Sequence, residues 1–186
     1  MHHSQTEKLT LMLMGVVILL MLAIIGLFIR MTQLQTQVLA ALQPGQAVMG
    51  LPAGSVAPDF SLPDVDGREV SLRGFSGQDV VIVFSSVTCL ACQSMYPSLR
   101  EFGRRHGQTT LVMISRATED ENRRLAQEEG FSFPILVGDD RVAHAYQVPG
   151  TPFFYVIDRE GVITNAGFAG SLEELEQLAG LALDTP

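Results

Sequence analysis

The stretch Asp79–Ser86, "DVVIVFSS", limits the possible folds more than any other part of the chain. A continuous β-branched and aromatic run of this kind is typical of a strand buried on both faces. Such a strand needs cover on either side, which points to a sheet layered with helices. The flanking segments agree. "TTLVMIS" reads as a second buried strand and "PILVGD" as a short third one. "FFYVID" and "VITNAGF" read as two strands around the turn Arg159-Glu160-Gly161. Between them lie helical segments: "CQSMYPSLREFGRRHG", "TEDENRRLAQEEG", "DDRVAHAYQV" and the closing "SLEELEQLAGLAL". Thr118 with Glu121, and Ser171 with Glu174, have the spacing of capping boxes, and Gly130 is a stop signal. Upstream, two short strands near Phe60–Leu62 and Glu69–Leu72 flank the turn Asp64-Val65-Asp66-Gly67. Strands alternating with helices give an α/β domain with a central sheet.

The chain outside this domain has a different character. Leu9 to Ile29 run 21 positions without a charge. At 1.5 Å per residue this is roughly 31 Å, about the thickness of a bilayer core. A cleaved signal peptide has a shorter apolar region with a small-residue site close behind it. The first such site here, Val38-Leu39-Ala40, lies well beyond the run. Residues 9–29 are therefore read as a transmembrane anchor behind a short tail, residues 1–8. No cysteine lies near it, which excludes a lipoprotein. Lys8 opposes only Arg30, so charge encodes the orientation weakly. Residues 30–43 place Met31, Leu34, Val38 and Leu42 on one helical face and read as a juxtamembrane extension of the anchor; a short docking helix is the sharper alternative. Residues 44–55, rich in Pro and Gly, read as a linker, and 56–186 as the folded domain. The formal net charge is −8, and no basic stripe is present, which argues against nucleic acid as a ligand.

The chain has two cysteines, Cys89 and Cys92, placed where the buried strand gives way to a helix. A helix N-terminus carries about half a positive charge and unpaired N–H groups, which stabilise a thiolate. Cys92 lies one turn later, within reach of a mixed disulfide on Cys89. The pair therefore suits a dithiol that cycles with its disulfide, Cys89 as exposed nucleophile and Cys92 as buried resolver. A structural zinc site needs four ligands, and no second Cys-x-x-Cys pair exists. His106 and His144, the only histidines in the domain, sit in polar helical stretches and are expected on the surface. A static disulfide across this spacing would close a very short loop and stabilise little. Thr151-Pro152 stands directly before a strand, where an X-Pro bond is a candidate for the cis form.

"VAPDF", "DVDGREVSL", "DVVIVFSSVTCLAC", "VPGTPFFYVID" and "REGVI", in this order, resemble the membrane-anchored, thioredoxin-like thiol–disulfide oxidoreductases of bacteria, the TlpA/ResA-like group. The resemblance covers residues 56 to 183. It implies a thioredoxin-like fold, a central mixed sheet flanked by helices, after one N-terminal transmembrane helix. It implies that Cys89 attacks, that Cys92 resolves, and that a cis Pro152 lies beside them. It also implies that the Thr151 backbone pairs with an extended client segment, as in strand addition. No cofactor and no metal are implied. The departures carry information. Thr88 stands where the group usually has tryptophan, and Leu90-Ala91 where it usually has a proline between the cysteines. Val83 and Met95 occupy the two positions, six before and six after Cys89, that hold a proton-transferring acid in many members. The accessory proteins for methylamine dehydrogenase maturation, the MauD-like branch, share this apolar pattern. A peroxiredoxin pattern fails at both cysteines: the required proline and threonine positions hold Ile82 and Ser86 around Cys89, and Ser85 and Cys89 around Cys92.

The resulting expectation is a single-pass protein of the bacterial inner membrane with its domain in the periplasm. It would exchange disulfides with protein clients, forming or isomerising them during maturation of the methylamine dehydrogenase small subunit. An unidentified redox partner would recharge it. Two alternatives stay open: a thiol reductase of cytochrome c maturation, and a non-enzymatic copper-binding or docking module with the same fold.

Overall fold

A computed structural model describes Met21 and residues 49–181 of the chain. The anchor at 9–29, except Met21, the helix at 30–43 and the first part of the 44–55 linker lie outside the described residues. Among the described residues, no helix is long and apolar enough to cross a membrane.

The domain, taken by itself, opens with an antiparallel hairpin of β1 (Ser61–Pro63) and β2 (Glu69–Ser71), with Leu62 opposite Val70. Its turn is closed by Asp64, whose Oδ1 accepts from the N–H of Asp66 at 2.8 Å and of Arg68 at 2.9 Å. Gly67 supplies the positive φ that the turn needs. A 3-10 turn at Leu72–Phe75 leads into β3 (Asp79–Ser86). Then follow α1 (Leu90–Arg105), β4 (Thr109–Arg116), α2 (Glu119–Glu129), β5 (Ile135–Val137), α3 (Asp140–Ala145), β6 (Phe153–Ile157), β7 (Ile163–Gly167) and α4 (Leu172–Leu178).

Five strands form one mixed sheet in the order β5-β4-β3-β6-β7. β3 runs parallel to β4 and β4 to β5, whereas β6 pairs antiparallel with both β3 and β7. The central position of β3 explains its composition, since Val80 through Ser85 are all buried. Alternate side chains enter two cores. Val80, Ile82 and Phe84 join Tyr146, Phe153 and Tyr155 on one face. Val81 and Val83 join Cys92, Met95, Leu99, Phe102 and Phe154 on the other, beneath α1.

The capping box of α2 forms as the spacing predicts, Thr118 and Glu121 bonding reciprocally, and Gly130 ends the helix in the left-handed conformation. At α4 only half of the box forms. Ser171 accepts from the Glu174 N–H at 3.2 Å, but the Glu174 carboxylate turns to the N–H of Gly170 at 2.7 Å. The helix expected to run to Leu183 stops at Leu178, because Gly180 takes a φ of 68° and the Leu181 N–H turns back to the Glu176 carbonyl at 2.8 Å. His106 also departs from expectation. It is not a free surface residue; its Nε2 lies 2.9 Å from Glu176 Oε1, and its ring lies 4.8 Å from that of Phe102. It ties the end of α1 to α4. His144 is exposed on α3. The end of the stretch read as a linker rests on the domain: Gly54 donates to the Ile163 carbonyl at 2.8 Å, and Leu51 to the Tyr155 hydroxyl at 2.9 Å.

Candidate active site

β3 delivers the chain to the site and a tight connection turns it. The Cys89 N–H donates to the Ser86 carbonyl at 3.1 Å. The Gln93 side chain reaches back to the Val87 carbonyl at 2.8 Å and pins the loop to α1. Cys89 is then the N-cap of α1, with an extended backbone. Its Sγ takes the place usually held by a serine or aspartate oxygen, accepting from the Cys92 N–H at 3.2 Å. The thiol occupies the helix position where negative charge is best tolerated. Pro97 lies inside the same helix without ending it.

The Thr151–Pro152 bond is cis. The Thr151 carbonyl lies 3.4 Å from Cys89 Sγ and accepts from the thiol. The start of β6 is thereby brought against the start of α1, across 62 residues of sequence. Beside them opens a groove of about 450 Å3, lined by Cys89, Thr88, Gly150, Thr151, Arg116 and Asp139 among others. Two apolar side chains stand out in solvent near it: Leu90, directly after Cys89, and Phe168, whose ring lies 5.0 Å from that of Phe153.

The two sulfurs occupy opposite environments. Both are free thiols, Cys89 half-buried and Cys92 1% exposed. Partial burial pushes the Cys89 thiol up. Hydrogen bonding from the Cys92 and Thr151 side chains and from the backbone N–H groups of Cys92 and Ala91 outweighs that push and leaves it below the ordinary thiol value. For Cys92, burial acts upward and Cys89 adds to it, so this thiol is held above the ordinary value. One sulfur is accessible with its thiol held low, and the other is protected with its thiol held high, one helical turn away. Val83 and Met95 are fully enclosed in the core around Cys92, so neither position offers it a proton acceptor. Among the described residues, no group of three or more His, Cys, Asp or Glu is placed to hold a metal ion.

The four residues singled out from sequence thus meet at one place. Two further residues, Ser85 and Tyr96, border Cys92 and carry buried hydroxyls. Sequence offered a signal for each. Ser85 interrupts an apolar strand on the same side as Val83, and Tyr96 lies four residues after Cys92 on one helix face.

Residues 53–166 match the model of the AhpC/TSA family. The methylamine utilization protein MauD of Paracoccus versutus is 30% identical over 168 residues, 87% of this chain and 84% of that protein. MauD of Paracoccus denitrificans is 31% identical with the same coverage. The thiol-disulfide oxidoreductase ResA of Geobacillus thermodenitrificans is 31% identical over 59% of this chain and 66% of its own length. Among solved structures, the thioredoxin domain of a thiol-disulfide oxidoreductase from Bacteroides vulgatus superposes with a TM-score of 0.62 at 23% identity. It covers 69% of this chain and 99% of that domain, and so shares the fold. The chain belongs to the AhpC/TSA family and is a thioredoxin-like thiol–disulfide oxidoreductase of the group that includes MauD and ResA.

Proposed function

We propose that Cys89 and Cys92 are the exchanging dithiol, that residues 9–29 tether the domain to the inner membrane, and that its clients are periplasmic proteins undergoing disulfide formation or isomerisation. The observation that carries this reading is the placement of Cys89. An acidic thiol caps α1 at the mouth of a groove, beside the backbone of Thr151, with a buried second thiol one turn behind. A client disulfide is attacked by the Cys89 thiolate, one client sulfur leaves, and a mixed disulfide forms. Isomerisation follows when another client thiolate displaces Cys89. Net reduction of the client follows when Cys92 attacks Cys89 Sγ. Oxidation is the reverse: a client thiolate attacks Cys89 Sγ of the oxidised pair, Cys92 leaves and takes up a proton, and a second client thiolate then attacks the client sulfur of the mixed disulfide and displaces the Cys89 thiolate. An extended client segment beside Thr151 would gain main-chain hydrogen bonds.

The client proposed is the methylamine dehydrogenase small subunit. The names of the MauD relatives and the apolar Val83 and Met95 support it over a cytochrome c maturation reductase. The test is a Cys92→Ser chain expressed in the host, which should accumulate a mixed disulfide on Cys89 because resolution is lost. Mass spectrometry of the adducts should find the amine dehydrogenase subunit; apocytochrome c in its place sinks the client assignment. External protease should digest the domain in spheroplasts, and protection until lysis would reverse the topology.

A further inference from the structure

Five buried side-chain atoms among the described residues have no hydrogen-bond partner: Ser85 Oγ, Tyr96 Oη, Ser115 Oγ, and Asn122 Nδ2 and Oδ1. Leaving such a group unpaired costs about 1–3 kcal/mol each, so their gathering calls for a cause. They share one side of the sheet. Ser85 follows Val81 and Val83 by period 2, Ser115 is its register partner on β4, and Asn122 comes from the buried face of α2 with Leu125. This is the side that holds Cys92.

Two of these groups border the buried thiol. Tyr96 lies one turn after Cys92 on α1, and Ser85 lies at the end of the strand beneath both. Ser85 Oγ stands close to Cys92 and Tyr96 without a hydrogen bond of good geometry to either. The Tyr96 ring is fixed edge-on against Phe131 at 5.6 Å. Tyr96 also lines a cavity of about 440 Å3 with Gln93, Glu121, Arg124, Glu128 and Glu129. Glu129 is anchored there by Arg100 at 3.3 Å. The titratable and charged groups facing this region are thus Cys89 before α1, Tyr96 on α1, and these four of α2, with Arg100 behind Glu129. Burial pushes the Tyr96 phenol up, and negative charge on Cys92 and Glu129 adds to the push.

We infer that Ser85 and Tyr96 relay the proton of the buried Cys92 thiol to and from the carboxylate-lined cavity at Glu129. They fill the role that Val83 and Met95 cannot. Both are positioning residues that act through Cys92, and the inference rests on reading Cys92 as the resolving thiol. In resolution, the Cys92 S–H proton passes to Ser85 Oγ, the Ser85 hydroxyl proton passes to Tyr96 Oη, and the Tyr96 hydroxyl proton passes to the Glu129 carboxylate at the cavity. The Cys92 sulfur then bonds to Cys89 Sγ, and the bond from Cys89 to the client sulfur breaks with its electron pair going to the client. In the opposite direction the relay returns a proton to the departing Cys92 thiolate. Orphaned hydroxyls suit this task, because a hydroxyl locked into a static bond cannot turn from donor to acceptor.

The test uses the full-length chain carrying a mixed disulfide between Cys89 and glutathione, which needs no protein client. Release of glutathione on attack by Cys92 is followed across pH. Tyr96→Phe and Ser85→Ala should each slow release at neutral pH on the order of 100-fold, the low end for assisted proton transfer. The double variant should be no slower than the slower single one, because both break the same path. The deficits should shrink as rising pH ionises Cys92 directly. Rates within twofold of the parent at every pH, or a loss that does not change with pH, overturn the relay. Both variants remove an unpartnered hydroxyl, so their melting temperatures should not fall; a large fall would show a structural role instead and likewise overturn it. A Cys92→Ser chain that still releases glutathione refutes the resolving assignment itself, a failure distinct from that of the relay.

Discussion

The two faces of the central sheet each bury an apolar core, yet they treat buried hydroxyls in opposite ways. On the face of Phe84 and Phe153, Tyr146 donates to the Pro58 carbonyl at 2.8 Å. Tyr155 donates to the Tyr146 carbonyl and accepts from the Leu51 N–H. The rings contact one another edge-on, with Tyr146 and Tyr155 centred 5.1 Å apart. On the other face, beneath α1 and α2, the side chains of Ser85, Tyr96, Ser115 and Asn122 have no hydrogen-bond partner among the described residues. Orphaned polar groups are uncommon in folded proteins and concentrate where function outweighs stability. The satisfied face lies away from the cysteines, and the unsatisfied face is the one that holds Cys92.

The largest expected effect probes what the faces share. Phe153 and Phe154 are neighbours on β6, both fully buried, and enter opposite cores. Phe153→Ala and Phe154→Ala should each cost about 3–5 kcal/mol in urea unfolding. A much smaller loss for Phe154 would mean that the α1 face is loosely packed, and the contrast would then be one of packing rather than of hydrogen bonding. The next effect separates the faces. Tyr155→Phe strips a partner from the Leu51 N–H and the Tyr146 carbonyl and should cost about 1–3 kcal/mol. Tyr96→Phe removes a hydroxyl with no well-formed hydrogen bond among the described residues, and stability should hold or rise. Equal losses in the two variants break the comparison.

The thiols give the third test, and its sign follows from the directions of the two shifts. Cys89 lies below the ordinary thiol value, so in the folded chain it ionises at a pH where the unfolded thiol is still protonated. Its contribution to stability is present in full above the unfolded value and is lost as pH falls through the folded one. Cys92 is raised, so its contribution is present below the unfolded value and lost as pH rises through the folded one. Alkylation of the reduced protein over a pH series, read by peptide mapping, should label Cys89 first and Cys92 only at higher pH. Earlier labelling of Cys92 reverses the assignment of roles.

Local signals made much of this legible in the sequence. β3 spans the residues that its β-branched run marks, and the spacing of Thr118, Glu121 and Gly130 fixes both ends of α2, because these depend on residues a few positions apart. The placement of the candidate site was legible for the same reason: a strand end, a helix start and two cysteines are all local. What escaped depends on partners far away in the chain. His106 resembles a surface residue until Glu176 arrives from 70 residues on. The Ser171 box is half-made because Gly170 competes for the Glu174 carboxylate. Ser85 and Tyr96 lie 11 residues apart on different elements, and nothing local shows that one face of β3 and one face of α1 meet at Cys92.

The smallest expected effect marks where the relay ends. Ser115 is the register neighbour of Ser85, is fully buried, and also lacks a partner. Replacing its orphaned hydroxyl removes an unpaired polar group and one heavy atom, two changes of opposite sign and similar size. Ser115→Ala should therefore shift stability by less than about 1 kcal/mol in either direction. Ser115 stands one strand away from Ser85, and only Ser85 of the two acts on the Cys92 thiol. Resolution of the glutathione adduct should then proceed at the parent rate and with the parent pH profile. A slowing that matched Ser85→Ala would extend the proton path across the sheet toward Asn122 and away from Tyr96, and the contrast between the faces would then concern the whole layer rather than two hydroxyls beside one thiol.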